Sequence, residues 1–270
     1  MPYQTLEIRR DGEIAWLTLN RPQALNALNA VMVNELHDYL RELYHDRDTR
    51  VVVMRGAGRA FCAGLDLKEQ SGGGSIDVTS SSTASVFDIQ RKMSDLVVAI
   101  RRLPQPFIAA VRGPASGGGF ALALAAYVRL AGESARFNAA FIKIGLSACD
   151  MGVSYFLPRA VGTSIASELM LTGRFINASR ALATGLVSEV VTDGELDAAA
   201  GRLAQEMVET SPLGLRLTKE CLAASVDAGS LEQAIYMEDR NQTLCVRAGY
   251  IAEGARAFVE KRKPNFTDRA

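Results

Sequence analysis

The chain has 270 residues, 48% of them hydrophobic, enough to bury a large core as one domain with an appendage or as two domains. Thirty Lys and Arg balance thirty Asp and Glu, so no net field draws nucleic acid or anionic lipid, and an anionic ligand has to be held by local groups. Cys62, Cys149, Cys221 and Cys245 stand far apart without a CxxC pair or a nearby His, which argues against zinc and against a secreted disulfide framework.

The N-terminus, MPYQTLEIRRDGE, is too polar for a signal peptide, and no apolar run approaches the roughly 18 residues of a membrane span. A reducing, cytoplasmic setting is therefore expected. Leu6 to Arg10 and Ile14 to Asn20 read as short strands around the turn signal Asp11-Gly12, and Arg21-Pro22 stops the second. From about Asn26 the pattern turns helical, with Val33, Leu36, Leu40 and Leu43 on one face and Asn34, Glu35, Asp38 and Arg41 on the other.

Val51 to Met54 is an apolar run that reads as a buried strand, ended by the turn Arg55-Gly56-Ala57-Gly58. Ala60 to Ala63 then leads through Gly64 and Leu65 to Asp66, a helix cap with Glu69 as its capping-box partner. The next stretch, Gln70 to Ser85, contains Gly72-Gly73-Gly74 and a serine run and has no apolar periodicity. It reads either as a lid beside the loop before it or as a tolerated surface insertion.

Val86, Ile89, Met93, Leu96, Val97, Ile100 and Leu103 are spaced for an amphipathic helix that Pro104 and Pro106 break. Phe107 to Val111 is a second apolar strand, Arg112-Gly113-Pro114 turns it, and Ser116-Gly117-Gly118-Gly119 opens an Ala-rich helix near Phe120. A strand at Tyr127 to Ala131, a mixed stretch from Ala135 to Leu146 and a helix entry at Asp150 to Ser154 follow. Alternating strands and helices indicate an α/β core over residues 1–192. Beyond it, Glu195 to Glu209, Pro212 to Val226, Leu231 to Val246 and Ala252 to Lys261 read as helices, with Ser211-Pro212 as cap and first residue. Four helices without a strand make a poor core, so 193–270 is expected to pack on the α/β part or on a neighbouring subunit.

The two strands at Val51 and Phe107 share one plan. Each ends in Arg-Gly, and each is followed by a glycine-containing loop and a helix start, where backbone N–H groups are unpaired and favour a negatively charged oxygen. If the strands lie side by side, each loop can aim one N–H at the same point. That arrangement is an oxyanion hole, in which one donor is worth about 2.7 to 4 kcal/mol of transition-state stabilisation.

The segments Asn20-Arg21-Pro22, Asn26-Ala27-Leu28, Phe61-Cys62-Ala63-Gly64-Leu65-Asp66-Leu67, Gly117-Gly118-Gly119 and the ending Ala257-Phe258-Val259-Glu260-Lys261-Arg262 occur in an order that resembles the crotonase superfamily, also called the enoyl-CoA hydratase/isomerase family. The resemblance spans essentially the whole chain. It implies a spiral α/β core of ββα units with a C-terminal helical trimerisation region, assembled as a homotrimer or a dimer of trimers. It implies an acyl-CoA thioester substrate, with coenzyme A as part of the substrate and no other cofactor. The thioester carbonyl would be held by the backbone amides of Leu65 and Gly118. Ala60, Ala63, Asp66 and Leu67 would border the CoA adenine, while Phe258 and Lys261 would reach CoA from a neighbouring subunit. Lys261 is equally readable as a solvated charge beside Glu260.

Stabilising the enolate oxygen allows a proton to leave the carbon next to a thioester, and a side-chain acid or base then decides the reaction. Family hydratases use two glutamates, and the matching positions here hold Ala121 and Phe141, neither of which transfers protons. Asp150, in Ser147-Ala148-Cys149-Asp150-Met151-Gly152, falls where related isomerases carry an acid. One carboxylate suffices for a 1,3 proton shift, so isomerisation or another enolate reaction is expected over hydration. Among Phe141, Met151 and Phe156 its proton affinity would be raised. The competing readings are that Asp150 only caps the following helix, and that the chain binds acyl-CoA without catalysis.

Cys62, between Phe61 and Ala63, reads as a small buried apolar residue, since no His or Lys stands near to activate it. Both histidines, His37 and His45, lie on one upstream helix, which leaves Ser116 without a triad. No G-x-G-x-x-G begins at Gly56 or Gly117 and no GK[ST] occurs, which speaks against NAD and ATP. Tyr236, Glu238 and Asp239 read as a solvated face.

Overall fold

Gly12, at φ +58°, turns the chain between Leu6–Asp11 (β1) and Ile14–Leu19 (β2), which pair antiparallel from Leu6 opposite Leu19 to Asp11 opposite Ile14. The computed structural model describes residues 3–68 and 82–266. Val51–Gly56 (β3), Phe107–Val111 (β4), Val128–Gly132 (β6) and Glu189–Val191 (β9) continue from β2 as parallel strands in the order β1-β2-β3-β4-β6-β9. A second sheet joins Pro114–Ser116 (β5), Arg136–Asn138 (β7) and Ile176–Asn177 (β8).

Parallel strands covered on both faces carry apolar residues at successive positions. Val52, Met54, Phe107, Ala109 and Val111 point to the larger core, which Ala30–His45 (α1), Thr83–Arg102 (α2) and Gly118–Ala125 (α3) close. Val51, Val53, Ile108 and Ala110 point to the other face and meet Leu196–Val208 (α7). Helix α3, GGFALALA, is buried at every position, as expected of a helix that is apolar all round. Asn29 caps α1 by accepting from Met32 N at 3.0 Å, so that helix starts at Ala30, four residues after Asn26.

Strand, strand and helix recur as β1-β2-α1, β4-β5-α3 and β6-β7 followed by Val153–Val161 (α4), which is the expected spiral of ββα units. After β3 the second strand of the unit is reduced to two isolated bridges, Cys62 to Ala115 and Leu65 to Leu28, before helical residues begin at Leu67. Thr163–Thr172 (α5), Ala178–Ala183 (α6), β8 and β9 fill a stretch for which the sequence offered no assignment. The expected lid covers residues 70–85; Ser82 caps α2 and Thr83 to Ser85 belong to it, whereas residues 70–81, like Glu69, lie outside the described residues.

The helical C-terminus divides. Helix α7 is part of the core. Pro212–Ser225 (α8), Leu231–Arg247 (α9) and Tyr250–Val259 (α10) follow, α9 packing on α8 and α10 on α9, and each of the first two is capped by a serine, Ser211 and Ser230. Arg50 donates to the carbonyls of Val208 and Thr210, and buried Lys219 donates to those of Arg101 and Leu103, so two cations pin these helices to the core. Among the described residues no helix is long and apolar enough to cross a membrane.

Candidate active site

Strands β3 and β4 are hydrogen-bonded neighbours in parallel register, Val52 opposite Phe107 and Arg55 opposite Ala110, so the two loops leave the sheet side by side. They are then stitched together. Cys62 N donates to Pro114 O at 3.1 Å and Ser116 N donates to Cys62 O at 2.9 Å. A Cβ on Gly119 would stand 2.2 Å from Cys62 O, and one on Gly64 would stand 2.7 Å from Ser116 O and 3.5 Å from Gly118 N. Gly64 also sits at φ +94°, so both glycines are required by close backbone approach and one by conformation as well.

Asn26 and Leu28 hold the first loop from its other side. Asn26, fully buried, donates through Nδ2 to Ala57 O at 2.9 Å and Ala60 O at 2.8 Å and accepts from Arg21 N. Leu28 N donates to Gly64 O at 2.7 Å and Asp66 N donates to Leu28 O at 3.0 Å. Extended backbone alternates its polar groups, so the Leu65 N–H between them faces away from Leu28. Gly118 is the first residue of α3, whose opening N–H groups have no intrahelical acceptor. Among the described residues neither the Leu65 nor the Gly118 N–H takes a partner.

Asp150 is tied to the second loop through its neighbour Met151. Buried Met151 has its Sδ 3.3 Å from where a Gly118 Cβ would be, and Leu28 Cδ1 is 3.0 Å from the same point. Met151 adopts φ +45°, a left-handed conformation that costs a non-glycine residue energy. Its N–H donates to Asp150 Oδ1 at 2.7 Å, and Gln90 Nε2 from α2 donates to the same oxygen at 2.5 Å. Burial pushes the half-buried carboxyl above the ordinary carboxylate range, against the partial pull of these two donors. The side chain makes no cap for α4: Gly152 is the N-cap, and Val153 N bonds the Asp150 carbonyl instead.

The positions matching the hydratase glutamates are apolar in place as well as in type. Ala121 is fully buried in α3, and the Phe141 ring lies 3.7 Å from the Cβ position of Gly117. Ala60 is buried, Ala63 half-buried and Leu67 exposed along the first loop. Asp66 is buried and paired with Arg21 Nη1 at 2.8 Å, and its Oδ1 accepts from Lys68 N. Phe258, 84% exposed, and Lys261 stand at the end of α10, which packs on α9. The buried Cys62 thiol is pushed up to about 12, chiefly by burial, as befits a packing residue. Among the described residues no group of three or more His, Cys, Asp or Glu could hold a metal.

Sequence reasoning assigned no role to Asn26, Arg21 or Gln90. Asn26 and Arg21 fall in the two short motifs nearest the N-terminus, but only the fold shows them clamping a loop more than thirty residues downstream. Gln90 carried no signal, being one polar residue on the outer face of an amphipathic helix.

Fold and site together define an enzyme of the crotonase type. The enoyl-CoA hydratase/isomerase family model matches residues 9–269, and the chain belongs to that family. A Mycobacterium tuberculosis protein named "Probable enoyl-CoA hydratase EchA12" is 42% identical over 95% of this chain and 90% of its own length. The 1,2-epoxyphenylacetyl-CoA isomerase of Escherichia coli is 36% identical over 94% of each chain. The crystal structure of an enoyl-CoA hydratase from Bacillus anthracis superposes with a TM-score of 0.90 at 32% identity, covering 97% of this chain and 99% of that one.

Proposed function

We propose that the protein isomerises acyl-CoA thioesters through an enolate. The Leu65 and Gly118 N–H groups would hold the thioester oxygen, and Asp150 would take a proton from one carbon and return it to another. As the C–H bond breaks, its electron pair moves toward the thioester carbonyl, where two fixed N–H donors in a water-poor site lower the barrier. Coenzyme A enters as part of the substrate, with no separate cofactor.

The observation that carries this reading is the half-buried carboxylate of Asp150, next in the chain to the Met151 that packs against Gly118, with Ala121 and Phe141 where a hydratase would have its pair of acids. The Escherichia coli relative named as an isomerase supports it. On the same reading Ala60, Ala63, Asp66 and Leu67 border the CoA adenine. Phe258 and Lys261 reach CoA on a neighbouring protomer, with residues 193–270 joining a homotrimer or a dimer of trimers.

The test is turnover of a panel of enoyl-CoA esters by the wild type and by Asp150→Asn. Loss of about 10²- to 10⁴-fold in turnover with ester binding retained is expected. Unchanged turnover in Asp150→Asn would overturn the assignment. Thermal stabilisation by esters without any turnover would make the protein a binder.

A further inference from the structure

Resting on the reading of Asp150 as the proton carrier, the structure points further, to which of its two oxygens acts and to what selects it. We propose that Gln90 is a positioning residue which, together with the Met151 N–H, occupies Oδ1 of Asp150 and so leaves Oδ2 as the oxygen that exchanges the proton.

Both hydrogen bonds to the carboxylate converge on Oδ1, from Met151 N at 2.7 Å and from Gln90 Nε2 at 2.5 Å. Among the described residues Oδ2 takes no partner. A proton on Oδ1 would face two donors and nothing to receive it, so protonation is directed to Oδ2. Oδ1 then becomes the carbonyl oxygen of the neutral acid and keeps both bonds. The carboxyl plane is therefore held through both halves of the reaction, while Oδ2 gains a proton as the C–H bond breaks and loses it as the new C–H bond forms.

The Gln90 amide is itself oriented. Its nitrogen also donates to Ser94 Oγ, one turn along α2, at 3.3 Å, which uses its two hydrogens on Ser94 and Asp150. The flipped amide would set its oxygen against the carboxylate. The second donor needs Met151 in its left-handed conformation, so a strained backbone and a side chain from another element act on one atom. Among the described residues no charged side chain is a determinant of Asp150 proton affinity. Helix α2 contributes Gln90, the turn before α4 contributes the Met151 N–H, and burial supplies the rest.

The experiment is a carbon-13 NMR titration of the Asp150 carboxyl in wild type, Gln90→Leu and Gln90→Lys, beside pH profiles of turnover. Gln90 is exposed, so neither substitution disturbs packing, and unchanged thermal melting verifies this. Removing the donor in Gln90→Leu should raise the Asp150 midpoint by about one pH unit and lower kcat about tenfold with KM within about twofold. A charged donor in Gln90→Lys should move the midpoint the other way and recover part of kcat, opposite shifts that a merely structural role would not give. The proposal is overturned if Gln90→Leu leaves the midpoint and kcat as in the wild type. That result is distinct from failure of the underlying reading, which Asp150→Asn with unchanged turnover would reveal and which would remove this proposal with it.

Discussion

Helix α7 and helices α8 to α10 follow one another in the chain and are all amphipathic, yet of the four only α7 lies against the sheet, while α8 to α10 pack chiefly on one another. In α7 the buried positions Leu196, Ala199, Ala200 and Ala204 meet the back of the sheet, small side chains letting the helix lie close. In α8 to α10 only Leu217 and Ala257 are buried among apolar residues, whereas Leu231, Tyr236, Phe258 and Val259 are each more than 70% exposed. The difference teaches that sequence periodicity reports an apolar face without reporting what covers it. The α/β part is closed in one protomer; the last three helices present a face that the proposed assembly would close.

The sharpest way to break that contrast is to damage the closed part. Gly119→Ala drives a Cβ to 2.2 Å from a backbone oxygen, Cys62 O, where neither partner can swing aside. Loss of about 3 kcal/mol or more of stability is expected by chemical denaturation. Lys219→Met severs the pin between the two regions and leaves two carbonyls, of Arg101 and Leu103, without their donor. A cost of about 1 to 3 kcal/mol is expected, with limited proteolysis freeing α8 to α10 ahead of the core.

Two predictions read the site and the open face separately. Asp150 must be ionised to accept a proton, and its proton affinity is raised, so the acid limb of kcat/KM should lie above the usual carboxylate range and activity should fall as pH drops through it. Phe258→Asp alters an 84% exposed side chain, so protomer stability should change by no more than about 0.5 kcal/mol, while light scattering should register a smaller assembly. Retention of the wild-type mass would count against α10 as an interface. The smallest effect is chemical: iodoacetamide should label exposed Cys149 and spare Cys62, buried beside the loop junction with its thiol pushed up to about 12.

Strands β1 to β4 and β6 and the four C-terminal helices were legible because each carries its own period and its own punctuation, such as Gly12 at the hairpin and Ser211-Pro212 at the start of α8. The two- and three-residue strands β5, β7, β8 and β9 were not, being too short to show alternation and existing only because a neighbouring strand offers hydrogen bonds. The candidate site divides in the same way. Leu65 and Gly118 could be named from loop chemistry and resemblance, since backbone donors at helix starts are signalled by glycines. Gln90 could not, because a glutamine on an outward helix face becomes informative only when the fold sets it against Asp150.

The sequence alone determined an alternation of strands and helices, two apolar strands each followed by a glycine loop, and the absence of acids at Ala121 and Phe141. Those properties are local: each is written in residues that stand within a few positions of one another. Only the tertiary structure decided that Asn26 clamps the loop at Ala57 and Ala60, that Met151, next to Asp150, packs against Gly118, and that both donors on that carboxylate share one oxygen. Contacts between residues 30 to 60 positions apart depend on how helices and strands pack, and a linear pattern holds no record of which side chain will meet which.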